Sequence, residues 1–353
     1  MGSASPKLSL MGATSMALGV IIGGGFFAVL GPATETAGNA AFISVGLAGL
    51  LALLTGISYS RLTLRFNEPG GSFVYISPLL GTEIAGTLSW FLILAYLFTT
   101  ALYASTFGAF ATLLLDISWQ HAPSLGALVI ILLAVVNLAG IRFSSFFENF
   151  LIYSNIGLLL FLAGKSLQTI SLEEALPVLE VPSKEIIFAA AQMFVGFEGF
   201  QLLTYNYHDI DNHKKNFPRA MRTAILLSIA LYILLAFVTT AAVGNKVAGE
   251  QPQTILIDLA GLVLEQQGLT LALVIITLSM TAAINATMFS HGRLAKRLAH
   301  EHEIPPGLTR RQYSGVPLLY LVFIVAAVIG IIFTIDLDEL AAFSSLVLLS
   351  TFV

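Results

Sequence analysis

Cysteine is missing from this chain altogether, and charge is scarce. Without cysteine in 353 residues there is neither a disulfide framework nor a thiolate metal site, and the redox compartment leaves no trace in the sequence. Asp, Glu, Lys and Arg together make up 10% of the residues, where an average soluble domain has roughly 25%. The net charge of −4 is small and no basic stripe stands outside the short loops between apolar segments, which excludes nucleic acid as a partner. No GxSxG nucleophile elbow is present, and His, Asp and Ser do not cluster at one membrane face, so the chain reads as a non-enzyme. The six histidines form no catalytic set: in AHEHEIP, His300 and His302 fail the HExxH pattern because position 304 is Ile. No metal or cofactor is expected. His208 and His213, flanking Asp209 and Asp211, belong either to a solvated loop or to a pH-sensing contact.

What is there instead is apolar. Hydrophobic residues make up 57% of the chain and its mean hydropathy is +0.89, the composition of a polytopic membrane protein. A bilayer span takes about 20 mostly apolar residues. Ten such segments are predicted, at 8–30, 40–64, 84–115, 122–141, 146–164, 184–208, 220–243, 267–290, 316–335 and 340 onward. The first has only Lys7 before it and no clear cleavage site, so it reads as a retained span rather than a signal peptide. The last, LAAFSSLVLLSTFV, is still apolar at Val353, and the chain is expected to be part of a longer protein. Of the 16 Lys and Arg residues, all but Lys165, Lys184 and Lys246 fall on the side of the N-terminus, whereas Glu173, Glu174, Glu180 and Glu185 fall on the other. Basic loops stay cytoplasmic, which predicts a cytoplasmic N-terminus in a plasma or inner membrane.

Glycine interrupts two of these segments. GVIIGGGFF in the first places Gly23, Gly24 and Gly25 in a row, and FVGFEGF in the sixth places Gly196, Glu198 and Gly199 inside the apolar run from Ile186 to Leu203. Each interior glycine weakens a helix by about 1 kcal/mol relative to alanine. In lipid, the backbone leaves the helical state only where its polar groups find a partner, a cavity or a ligand. Segments one and six each open a block of five, residues 1–165 and 166–353. An odd number of spans per block inverts the second block relative to the first, so that two broken helices meet near the midplane. Packing is the competing reading, since Gly19 and Gly23 form a GxxxG and Gly196 with Gly199 permit close helix approach. Gly23, Gly25 and Ala28 also fit a dinucleotide fingerprint, but no strand precedes them. If both helices open, free N–H groups at Gly24, Gly25 and Phe26 attract a carboxylate, and carbonyls of Ile21, Ile22, Phe194 and Val195 attract an ammonium. An anion site beside a cation site describes an α-amino acid.

At this point the residues resemble the amino acid, polyamine and organocation (APC) superfamily of transporters. The resemblance rests on GVIIGGGFF, on NEPGGSFVYI with Trp90 in GTLSW, on MFVGFEGF followed by NFPRAM, and on INATMFSHGRLAKRLAHEHEIPP, in family order over nearly the whole chain. It implies an all-α, five-plus-five inverted-repeat fold of the sodium-symporter type, with helices one and six broken, this chain ending within helix ten, and helices eleven and twelve missing. It also implies that Gly23, Gly24 and Gly25 with Ile21 and Ile22 hold the substrate backbone, that Phe194, Val195 and Gly196 complete the site, and that Glu198 is the coupling or gating acid. Glu198 stands out physically as well, as one of very few acids deep within a span, where it is expected to be partly neutral or paired. The structural alternative is a protonated glutamate bonded to loosened backbone.

The chain departs from the family pattern in three places. Gln192 and Met193 occupy the region where many members carry an aromatic lid. Asn155 stands where some proton-coupled members place a lysine midway along helix five. Thr277, Ser279 and Thr281 offer hydroxyls for sodium on helix eight, but Ala282 and Ala283 lie closer to Asn285, which leaves the coupling ion open between H⁺ and Na⁺. With Trp90 fixing the third helix, pocket-facing positions are expected at Ile93 and Leu97. Their apolar character, with no deep Arg or Lys, favours a neutral amino acid, and a polyamine or cationic amino acid using Glu198 and Gln192 is the runner-up. The implied activity is secondary active transport by alternating access, as symport or exchange, with a small-molecule substrate and the lipid bilayer as partners. A non-transporting amino acid sensor with a transporter-like core is the rival from another class. The amphipathic stretch 253–266 either caps the outer entrance or lies on the membrane surface.

Overall fold

An apolar chain in lipid must satisfy its backbone internally, and this one does so with helices. The computed structural model describes residues 7–140, 145–168, 170, 181–243, 254–313 and 316–352; Arg142, Glu173, Glu174, Glu180, Lys246 and Val353 lie outside the described residues. In chain order come α1 (Leu10–Val20), a π-helical turn (Ile21–Gly25), α2 (Phe26–Ala37), α3 (Ala41–Phe66), α4 (Ser72–Leu80), α5 (Thr82–Leu115), α6 (Ala122–Leu138) and α7 (Ser145–Ser166). They are followed by α8 (Ser183–Met193), two 3₁₀ stretches (Phe194–Phe197 and Phe200–Asp209), α9 (His213–Val243), α10 (Ile255–Val263), α11 (Gln266–His300) and the short α12 (Gly307–Arg310). An antiparallel pair, Gln312–Tyr313 with Val316–Pro317, leads into α13 (Leu318–Ile332) and α14 (Leu337–Ser350).

Among the described residues, six continuous helical stretches are long and apolar enough to cross a membrane: Leu10–Phe66, Thr82–Leu115, Trp119–Leu138, Ser183–Asp209, His213–Val243 and Gln266–His300. Leu318–Ile332 and Glu339–Ser350 are apolar but shorter. The predicted segments fall on these helices and on α7, with Leu10–Phe66 absorbing the first two. The chain is an all-α, multi-pass membrane protein.

Helix ends coincide with turn chemistry. Asn67 and Asp116 close α3 and α5 in the left-handed region, at φ 54° and 52°, with their N–H groups bonded to the Thr63 and Thr112 carbonyls. Within α5 the hydroxyls of Thr99, Thr100 and Thr106 donate to the carbonyls one turn back, at 2.9, 2.7 and 2.8 Å, which hides them without opening the helix. On α3, small residues face α9, and a Cβ on Gly49 would lie 2.5 Å from Ile229 Cγ1. Leu47, Leu50, Leu51 and Leu54 of the same helix are exposed, as are Leu128, Ile131, Leu132 and Val135 of α6. Such apolar outer faces suit lipid contact.

Two features position the site. Helix α5 runs through the middle of the molecule, packed against α4, α6, α11, α13 and α14. The basic end is tied across three segments: Leu8 N donates to Asp209 O (2.7 Å), Asp211 N donates to Leu8 O (2.8 Å), and Arg293 Nη1 donates to Tyr205 O (3.1 Å) and Asn206 Oδ1 (2.7 Å). Near the opposite end, Ser44 Oγ donates to Ile186 O (2.9 Å). The amphipathic stretch forms α10, which buries Ile255, Leu256, Ile257, Leu259 and Ala260 against neighbouring helices including α2 and α7. Its apolar face is spent on protein.

Candidate functional site

Three consecutive glycines do not open the first helix. Between α1 and α2 the chain makes one π turn, Ile21–Gly25, and backbone angles stay helical through Gly25 (φ −60°, ψ −44°) and Phe26 (φ −63°, ψ −42°). The expected break with free N–H groups at Gly24, Gly25 and Phe26 is therefore corrected to a widened turn. The reason is that a π turn keeps its amides bonded to carbonyls five residues back, and unbonded amides are costly in apolar surroundings. The carbonyls of the turn draw side-chain donors. Tyr232 Oη of α9 donates to Ile21 O (2.7 Å), and Asn155 Nδ2 of α7 donates to Ile22 O (3.4 Å).

The glycines of this turn serve close approach. A Cβ on Gly23 would lie 3.1 Å from Ala283 Cβ and 3.2 Å from Ser279 O, and one on Gly24 would lie 3.0 Å from the Tyr103 ring. On Gly25 it would come within 2.8 Å of both Gly196 Cα and Val195 O, which is backbone of the sixth segment. The packing reading thus accounts for these three positions, and the same contacts bring the two glycine stretches together.

The sixth segment does break. After α8 and the 3₁₀ stretch Phe194–Phe197, Glu198 is extended (φ −55°, ψ 146°) and Gly199 takes φ 121° before the second 3₁₀ stretch begins. Glycine is required at 199 twice over, by that positive φ and because a Cβ would lie 2.7 Å from Val20 Cγ1. Ser345 of α14 bridges the loosened turn: its Oγ accepts from Val195 N (3.2 Å) and donates to Gln192 O (2.7 Å). The Gln192 side chain in turn accepts from Thr36 Oγ1 of α2 (3.3 Å).

Glu198 sits at this break and is 3% exposed. Among the described residues, neither of its carboxyl oxygens has a hydrogen-bond partner. The Thr99 hydroxyl faces it, but that proton is given to Ala95 O at 2.9 Å. The loosened backbone does not bond the carboxyl either, so the structural alternative weighed for Glu198 is not what the fold builds.

Ile21, Ile22, Gly23, Gly24, Gly25, Phe194, Val195, Gly196 and Glu198 are all buried in this contact region, with Asn155 reaching it through Ile22 O. Ile93 and Leu97 are buried as well, but the α5 side chain set against Gly24 and Gly25 is Tyr103. Trp90, used to set that register, is 42% exposed. Thr277 and Thr281 donate to Leu273 O and Thr277 O (2.6 and 2.9 Å), whereas Ser279 Oγ is buried without a partner among the described residues. Tyr103, Tyr232 and Ser345 escaped the sequence reading because aromatic and small hydroxyl side chains inside apolar helices carry no distinctive spacing. The one available signal was the Ser344-Ser345 pair inside the apolar run from Leu340 to Leu349 of α14. A recess of 250 Å³ opens beside Ile22 between α1, α7 and α9, but Leu18, Ile156, Leu160 and Leu231 line it and give a zwitterion no polar partner. Among the described residues no group of three or more His, Asp or Glu could hold a metal ion.

Comparison with known proteins bears on the whole chain. An uncharacterized protein of Methanocaldococcus jannaschii is 28% identical over 339 residues, spanning 94% of this chain and 77% of its own length. The methylthioribose transporter of Bacillus subtilis is 25% identical over 255 residues, 67% of this chain and 55% of the transporter. The branched-chain amino acid permease BcaP of the same organism is 23% identical over 372 aligned positions, 98% of this chain and 78% of the permease. The model of the amino acid permease family matches residues 8–353, and the chain belongs to that family.

Proposed function

We propose that this permease is a secondary active transporter of neutral amino acids, built as two inverted five-helix repeats, 1–165 and 166–353, in a cell membrane with its N-terminus in the cytoplasm. The substrate binds where the widened turn of helix one meets the break of helix six, and the two glycine stretches part to admit it. The observation that carries this reading is Glu198, a carboxyl buried at the break with no partner for either oxygen among the described residues. Leaving a buried acid unpaired is costly, and inside a membrane such a residue marks an ion or substrate path. The backbone groups suited to a zwitterion are occupied by Tyr232, Asn155 and Ser345 in this state, so an amino acid replaces side-chain partners rather than filling bare polar sites. Ties at both ends of the molecule, Leu8 to Asp209 at one and Ser44 to Ile186 at the other, are contacts that alternating access would break in turn.

The test is uptake into proteoliposomes by the full-length protein, with a panel of labelled amino acids and polyamines and with or without a pH gradient. Saturable uptake of neutral amino acids, raised by inward protons and lost in Glu198→Gln, is the expected outcome. Uptake restricted to cationic substrates gives Glu198 the role of side-chain counter-ion instead. Binding without flux identifies a sensor and overturns the transport reading.

A further inference from the structure

The apolar recess beside Ile22 has a shape and a polarity that the substrate reading does not use. Helices α1 and α9 both start at the basic end, where Leu8 is bonded to Asp209 and Asp211, and α7 runs alongside them. Ser15 Oγ and Tyr153 Oη share a hydrogen bond (2.7 Å) between α1 and α7, and Asn155 and Tyr232 reach the carbonyls of Ile22 and Ile21. Between the three helices, Leu18 and Ile22 are buried at the floor of the 250 Å³ recess, whereas Leu160 and Leu227 are each 51% exposed at its rim. Water gains no hydrogen bond from such walls, and a cavity of this kind stays dry until an apolar group enters it. On the exposed side of α7, a Cβ on Gly157 or Gly164 would meet nothing within 4 Å, so neither glycine is there for helix packing and both leave the approach open.

Polarity rises from the recess towards the basic end. One turn nearer that end than Leu18 and Ile156 stand the hydroxyls of Ser15 and Tyr153. On α9, Arg219 and Thr223 fall on the face that continues into the lining residues Leu227, Ala230 and Leu234, since steps of three and four residues keep one side of a helix. The climb from Arg219 to Leu227 is about 12 Å of helix. Arg219, Arg222 and Thr223 are exposed, and among the described residues neither arginine makes an ion pair. Lys7 adds little to this charge, because Asp209 and Asp211 adjoin its neighbour Leu8.

An apolar groove, then hydroxyls, then unpaired cations is the complement of a phospholipid read from chain to ester to phosphate. The depths agree as well: half of a bilayer core is about 15 Å, so a phosphate at Arg219 sends its chain past Leu227 to Ile22. We infer that the recess between α1, α7 and α9 binds one acyl chain of a phospholipid whose anionic head group is held by Arg219 and Arg222. A net negative head group is selected because α9 carries no Asp or Glu from His213 to Val243 to receive the ammonium of a zwitterionic one. The bound chain lies against Ile22 and keeps α7 and α9 seated where Asn155 and Tyr232 serve the widened turn, so the lipid braces helix one. The site does not depend on transport, and a protein without flux would keep it.

The test uses the full-length protein in phosphatidylcholine vesicles containing a trace of phosphatidylglycerol or phosphatidylcholine with a photoactivatable group at the middle of one chain. Labelling of the recess is mapped by mass spectrometry and compared with that of Leu128 and Leu132 on the exposed face of α6. Phosphatidylglycerol should favour the recess over α6, and phosphatidylcholine should not. Removing one basic residue near the surface is expected to cost about fivefold, so Arg219→Gln should lower the phosphatidylglycerol preference by that factor and leave phosphatidylcholine labelling unchanged. Ala230→Phe, which puts a ring into the recess, should remove labelling there by both lipids. Added phosphatidylglycerol should also raise the unfolding midpoint in detergent more for wild type than for Arg219→Gln. A recess labelled by phosphatidylglycerol no more strongly than α6 overturns the inference, as does undiminished labelling in Ala230→Phe. Should Ala230→Phe not fold, full lipid preference retained in Arg219→Gln overturns it equally.

Discussion

The first and sixth segments both carry glycine at their centres, yet only the sixth leaves the helical state. In the first, Gly23, Gly24 and Gly25 keep helical angles and are used for contact, with Ala283, Tyr103 and Gly196 lying where a Cβ would go. In the sixth, Gly199 at φ 121° turns the chain and Glu198 beside it is left extended. Glycine lowers the cost of leaving a helix, but the outcome depends on what receives the freed groups. Three consecutive glycines widen into a π turn because two side chains suffice to serve its carbonyls. A positive-φ glycine next to a buried acid gives a true break, and it needs Ser345 from a distant helix to hold it.

That contrast orders the expected effects of substitution. Gly199→Ala should be the most damaging, because a side chain at that φ costs about 1–3 kcal/mol in strain and Val20 must also move. Gly25→Ala has no φ penalty, so its unfolding midpoint in detergent should fall less than that of Gly199→Ala while uptake is lost through displacement of the sixth-segment backbone. Equal destabilisation by the two would break the distinction drawn here. Ser345→Ala comes next: it strands Val195 N and Gln192 O, which at about 1–3 kcal/mol for a buried orphan should lower the midpoint clearly. Asn155→Ala should be mildest, under about 1 kcal/mol, since its bond to Ile22 O is long at 3.4 Å. A larger loss from Asn155→Ala than from Ser345→Ala would mean that the first segment, not the sixth, is the one held by its partners.

Much of the site was legible because its signals are local. Three glycines in a row, and an acid between glycines in an apolar run, stand out against their surroundings without any alignment. The face of α5 was not legible, and the reason is compositional: that helix is apolar nearly all round, with polar Thr and Tyr spread over several faces, so no amphipathic contrast shows which side meets the site. Trp90 was a poor anchor because an aromatic near a helix end in lipid is as readily turned outward as inward. Gln192 shows the same limit, since its partner Thr36 is 156 residues away in sequence.

The sequence by itself determined that the chain is an all-α membrane protein, that two segments are disturbed at their centres, and that Glu198 is the acid out of place. These follow from composition, from the length a bilayer imposes, and from the cost of charge and unbonded backbone in lipid, none of which depends on neighbours far along the chain. Only the tertiary structure decided that helix one stays closed as a π turn, and that Tyr232, Asn155 and Ser345 hold its carbonyls and the break of helix six. Those outcomes depend on which side chains arrive from other helices, and a buried backbone group is satisfied or left bare by whatever the packing brings to it.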